Sequence, residues 1–211
     1  MAGICTKKEG FKFCKMVYIT ELTGQNAYSV PEFIKIIKNI DEMSIFHHIF
    51  HNYIEDSFNF SEYTNDFSIW ASKALKDEDL AERLAAVSID DLKDIEDIRK
   101  RILEVVETAK PSYVPEGGEF NFMKCTIGKF ATGEIANNLE EFINGIEKLD
   151  ARTIFYHAYL SKIIEGKMEN DFSSWLRSQG LVELAETISR IEPRVQDLAM
   201  LKANLLNILR R

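Results

Sequence analysis

Apolar residues recur along this chain with two periods. Alternating aromatic and β-branched positions open at Phe11-Lys-Phe13 and again at Phe120-Asn-Phe122. They predict strands, because such side chains suit a pleated, half-buried surface. Thr23-Gly24 and Thr132-Gly133 then predict turns, so each segment is expected to be a short hairpin or extended arm. Helical spacing takes over at Phe33, Ile36, Ile37 and Ile40, then at Ile45, His48, Ile49 and Tyr53, and then at Phe67, Trp70, Ala71 and Ala74. Two longer amphipathic helices are predicted, one carrying Leu92, Ile95, Ile98, Ile102 and Val105. The other enters through Pro193 and carries Leu198, Leu201, Leu205 and Ile208. Ser29-Val-Pro-Glu32 and Asn138-Leu-Glu-Glu141 match the capping box: the first residue accepts an early backbone N–H and the Glu reaches back to the N-cap N–H.

These elements come twice. Residues 11–48 align with 120–157 at a constant offset of 109, and fourteen of the thirty-eight positions are identical. Further on, Asn65-Asp66-Phe67-Ser68-Ile69-Trp70 returns as Asn170-Asp171-Phe172-Ser173-Ser174-Trp175, and Leu80-Ala81-Glu82 as Leu184-Ala185-Glu186. Asp56–Tyr63 reads as a surface loop present in the first copy alone, and 109–119, between the copies, as a Pro/Gly linker. The expected fold is mainly α with a small β component (α+β). It is a tandem duplication of a hairpin-plus-helices unit, 11–108 and 120–211, packed as one compact body with pseudo-two-fold symmetry.

Composition narrows the partners. A net charge of −8 argues against a general phosphate-backbone binder, so no nucleic acid is expected. No apolar run reaches membrane-spanning length and no signal-peptide core is visible, so no membrane partner is expected. Cys5, Cys14 and Cys125 are too few, and odd in number, for a disulfide framework, which points to a reducing cytoplasm.

The ordered set Phe-X-Phe-Cys, Thr-Gly-X-X-Ala, Ile-Phe-X-His, Asn-Asp-Phe-X-X-Trp and Leu-Ala-Glu resembles a prokaryotic domain-of-unknown-function family over nearly the whole chain, as two units. The resemblance implies largely helical, soluble archaeal or bacterial proteins. It brings no activity, cofactor or catalytic residue.

Two pairs carry chemistry that recurs in both copies: His48 with Asp66, and His157 with Asp171. One reading is a carboxylate-oriented imidazole acting as general base or metal ligand. The other, preferred because both copies keep the pair beside Phe and Trp and no nucleophile accompanies it in both, is a buried histidine satisfied by the start of the next helix. His47 and His51, at i and i+4, could clamp a metal, but Tyr156 and Leu160 replace them in the second copy. Without a repeated third ligand they read as a packed or solvated pair. There is no phosphate loop, nucleophile elbow or CxxC. The expectation is a non-catalytic protein without a cofactor that binds a small molecule or another protein, with a homodimer open. The alternative is an enzyme using one His/Asp pair.

Overall fold

The computed structural model describes residues 9–54, 63, 65–87, 94–191 and 198–211. Leu92, Pro193 and most of the Asp56–Tyr63 stretch lie outside the described residues, as does Cys5.

The fold is mixed α and β. Two strands, β1 (Phe11–Ala27) and β2 (Phe120–Ala136), pair into one antiparallel sheet. Here the expected hairpins are corrected. Thr23-Gly24 and Thr132-Gly133 lie inside the strands, and each strand pairs with the other instead of folding back on itself. The two glycines have φ of 75° and 83°, a conformation glycine adopts without strain. Each preceding threonine reaches across the ladder, Thr23 Oγ1 to the Phe122 carbonyl at 2.7 Å and Thr132 Oγ1 to the Phe13 carbonyl at 2.9 Å. A positive φ is common to tight turns and to irregular strand positions, so Thr-Gly alone does not separate them.

By its contacts the chain divides into two compact units: residues 18–127, and residues 1–17 with 128–211. Sequence copies and compact units therefore differ in which of them holds the first half of each strand.

The unit 18–127 contains α1 (Val30–Ile37), α2 (Glu42–Ile54), α3 (Asp66–Trp70) continued by a π-helical turn at Ala71–Leu75, α4 (Glu78–Ala85) and α5 (Ile95–Val106). Its core joins Phe33, Phe67 and Trp70 to Phe120 and Phe122 of β2, with the Phe33 and Trp70 rings stacked 5.1 Å apart. Residues 109–119 are tied to the start of α1: Val30 N–H donates to Ser112 O and Val114 N–H to Tyr28 O, both at 3.0 Å. Arg99 of α5 is buried and gives its guanidinium to the Ile37 and Ile40 carbonyls and to Glu96. It thereby satisfies acceptors that the end of α1 leaves open.

The other unit contains α6 (Leu139–Lys148), α7 (Ala151–Phe155) continued by a π-helical turn at Tyr156–Leu160, α8 (Ser161–Ile164), α9 (Asp171–Ser178), α10 (Val182–Ser189) and α11 (Leu198–Leu209). Phe11 and Phe13 of β1 enter its core against Phe142, Phe172 and Trp175.

The expected caps form with one shift. Ser29 and Asn138 accept from the N–H groups of Glu32 and Glu141, but the glutamates reach back to Tyr28 and Asn137, one residue before the cap. The amphipathic stripes also end one residue later than expected. Val106 and Leu209 are buried, while Val105 and Ile208 are half-buried, because the stripes advance in steps of four through Ile98–Ile102 and Leu201–Leu205. Among the described residues no helix is long and apolar enough to cross a membrane.

Candidate functional site

The repeated Asn-Asp phrase divides its labour. In the unit 18–127, Asn65 is the N-cap of α3, its side chain accepting from Ser68 N–H at 2.9 Å. That frees the carboxylate of Asp66, the first helical residue, for other partners. His48 Nδ1 lies 2.9 Å from Asp66 Oδ2, and Met123 N–H of β2 donates to His48 Nε2 at 3.0 Å. A backbone N–H can only donate, so Nε2 is the acceptor and Nδ1 carries the proton that His48 gives to Asp66. Three elements, α2, α3 and β2, are thereby tied through one imidazole. Phe120 packs edge-on against the ring at 4.7 Å.

His47 is also buried, with Nδ1 hydrogen-bonded to the Tyr18 hydroxyl and the two rings stacked. His51 is one turn on, its ring 4.9 Å from that of His47 and its Nδ1 3.5 Å from Asp66 Oδ2. Asn52 Nδ2 donates to Asp66 Oδ1 at 3.2 Å. Asp66 therefore faces His48, His51 and Asn52, and one potential ligand atom each from His47, His48 and Asp66 lies within 4.8 Å of the others. Sequence reading placed His47 with His51, and Asp66 with His48, as separate pairs. The structure brings all four into one cluster, because Asp66 opens α3 directly beside the face of α2 that carries them.

Burial lowers the His47 imidazole to about 4, helped by His48 and His51 and partly offset by Asp66. Burial also lowers His48, against the hydrogen bond to Asp66. For Asp66 burial works the other way, but the hydrogen bonds from His48 and His51 outweigh it and hold the carboxyl well below the usual carboxylate range. At neutral pH the cluster thus holds an ionised carboxylate beside the neutral imidazoles of His47 and His48. It lines an open cavity of about 530 Å³ whose wall includes Thr20, Lys73 and Trp70, the indole N–H of which donates to Gly118 O at 2.9 Å.

In the unit formed by 1–17 and 128–211, Asn170 caps α9 and Asp171 Oδ2 lies 2.8 Å from His157 Nδ1. His157 Nε2 meets the backbone of Cys14, 3.2 Å from its N–H and 3.0 Å from its carbonyl. Trp175 Nε1 donates to Glu9 O at 3.1 Å. The surroundings differ. Lys167 Nζ lies 3.1 Å from Asp171 Oδ1, and Glu165 gathers Lys129, Lys167 and the Tyr156 hydroxyl. Burial, and then that bond to Glu165, push the Tyr156 hydroxyl up. The cavity here is about 620 Å³.

Burial pushes the Cys125 thiol up to about 12, so it is protonated at neutral pH and not a ready nucleophile.

The fold and the site define a mainly helical protein in which a His–Asp pair fastens a strand to two helices. The chain belongs to the Family of unknown function (DUF5752), whose model matches residues 8–210. A solved structure, "The structure of OrfY from Thermoproteus tenax", is similar to it at a TM-score of 0.87 and 30% identity, covering 97% of this chain and 96% of that one. No curated protein matches.

Proposed function

We propose that the chain is a non-catalytic binding protein of the cytoplasm, a tandem duplication in which each compact unit sets one polar cavity beside a His–Asp strut. One observation carries the reading. Both nitrogens of His48 are engaged, Nδ1 by Asp66 and Nε2 by Met123 N–H, so the imidazole has no nitrogen left to take a proton from a substrate. The walls supply charged and hydrogen-bonding groups, Lys73 and Asp66 in one cavity and Lys129, Lys167 and Tyr156 in the other, which suits a small polar ligand. The free thiols Cys14 and Cys125 fit a reducing compartment.

Ligand-observed NMR of the full chain with a panel of small polar metabolites tests this. Saturable binding without consumption of the ligand is expected, weakened when Ala74→Trp fills the cavity of residues 18–127. Turnover of any member, abolished by His48→Gln or His157→Gln, would replace this reading with an enzyme.

A further inference from the structure

We propose that the unit 18–127 holds a divalent transition-metal ion, with His47, His51 and Asp66 as ligands and His48 orienting the carboxylate. The site is independent of whether the cavity also takes a polar ligand.

Residues four apart on a helix share a face, so α2 presents His47 and His51 together. Asp66 comes to the same face from α3, with Oδ2 3.5 Å from His51 Nδ1. A tetrahedral ion bound at about 2.0–2.2 Å keeps its ligand atoms about 3.3–3.6 Å apart, a scale the His51–Asp66 contact already has. His47 stands further out, its ring 4.9 Å from that of His51 and one of its nitrogens within 4.8 Å of an Asp66 oxygen, and would close on a bound ion. The Tyr18 hydroxyl occupies Nδ1 of His47, which leaves Nε2 as the coordinating nitrogen. An outer hydrogen bond of this kind orients metal-binding histidines generally. His48 serves the carboxylate in the same way: with Nε2 held by Met123 N–H, its Nδ1–H can only donate to Asp66.

Charge supplies a second, separate reason. In the other unit the equivalent carboxylate, Asp171, has a cation, Lys167, at 3.1 Å. Among the described residues Asp66 has no Lys or Arg ion-pair partner; His48, His51 and Asn52 face it instead. A bound cation would supply the countercharge there. The imidazole positions that would be ligands are replaced by Tyr156 and Leu160 in the other unit, so the site belongs to one unit only.

Two imidazoles and a carboxylate suit Zn²⁺, Co²⁺, Ni²⁺ or Cu²⁺ rather than Mg²⁺ or Ca²⁺. Three protein ligands leave a fourth position, and the cluster lines the cavity of about 530 Å³, where water can occupy it.

The test uses the full chain, stripped with a chelator and titrated with Zn²⁺ against a chromophoric competitor, with Co²⁺ absorption reporting the ligand field. Binding of one ion per chain and a tetrahedral Co²⁺ spectrum are expected. His48→Gln should weaken binding about 10–100-fold, as loss of an orienting partner does. His51→Gln and Asp66→Asn should weaken it further, and Asp171→Asn should leave it unchanged. His51 is half-buried, so its variant folds without a buried gap, and melting curves of each metal-free variant separate lost binding from lost structure. Absence of stoichiometric binding, or affinity that survives both His47→Gln and His51→Gln, would overturn the site. Neither result bears on the polar-ligand test above, which is read without metal.

Discussion

His48 and Asp66 stand eighteen residues apart in sequence and 2.9 Å apart in the structure, and the imidazole between them is anchored on its far side by Met123 N–H. His157 and Asp171 repeat the bond at 2.8 Å against the backbone of Cys14. In each unit one side chain joins a helix, the opening of the following helix and a strand. Removing it takes one partner from a half-buried carboxylate and the acceptor from a strand N–H, at a cost of about 1–3 kcal/mol. His48→Ala and His157→Ala should each lower the melting temperature. Two unchanged melting points would show that these bonds do not hold the fold.

Acid should unfold the protein in two stages. His47 has its proton affinity lowered from 6.5 to about 4, so between those values the unfolded chain binds a proton that the folded chain refuses. Stability therefore falls as pH drops through that window, by about 3 kcal/mol from His47, and His48, which burial also lowers, adds to the fall. Asp66 acts lower still: its depressed carboxyl contributes stability above the usual carboxylate range and loses it as pH falls through the folded value. Urea unfolding between pH 7 and 4 measures the first stage. His47→Gln should make that slope shallower, and an equal slope in the variant would assign the loss to other groups.

The strand and helix periods were legible in the sequence, as were the caps at Ser29 and Asn138 and the meeting of His48 with Asp66. Each follows from local spacing, and inward faces that converge bring their polar groups together. The pairing of β1 with β2 was not legible. Which strand a strand pairs with is a long-range choice, and Thr23-Gly24 gives the same local signal for a turn and for a positive φ within a ladder. Nor did the sequence separate Asn65 from Asp66, since either can cap a helix. The structure gives the cap to Asn65 and leaves the carboxylate to the histidines. The approach of His51 to Asp66 depends on how α3 seats against α2, which no spacing within either helix encodes.

Arg99 offers a test of buried polar packing. Its guanidinium satisfies the Ile37 and Ile40 carbonyls and Glu96. Arg99→Met keeps much of the apolar stem but leaves two carbonyls unsatisfied, and should cost about 1.5–3 kcal/mol. Arg99→Lys should recover only part, because a single ammonium cannot match the planar fork. Chemical denaturation of the two variants checks both statements, and a fully stable Arg99→Met would contradict them.

Gly145 in α6 touches the core more closely than its small size suggests. A Cβ there would stand 2.3 Å from Phe13 Cζ, and the Phe13 ring is fully buried. Alanine normally gains about 1 kcal/mol over glycine within a helix. Here overpacking, at about 1–3 kcal/mol, should match or outweigh that gain and make Gly145→Ala neutral to destabilising. Phe13→Leu in the same chain should relieve the clash, so a double-mutant cycle in thermal unfolding should show the two positions coupled. Additive effects would place the ring elsewhere.

The central claim is that His48 is a fixed, neutral strut. Nitrogen-15 NMR of the imidazoles reads this directly through the tautomer and its response to pH. At pH 7 His48 should show a protonated Nδ1 and an unprotonated Nε2, and it should hold that state well below the ordinary histidine midpoint, because burial lowers its affinity for a second proton. A His48 that carries its proton on Nε2, or that titrates freely near neutral pH, would contradict the account.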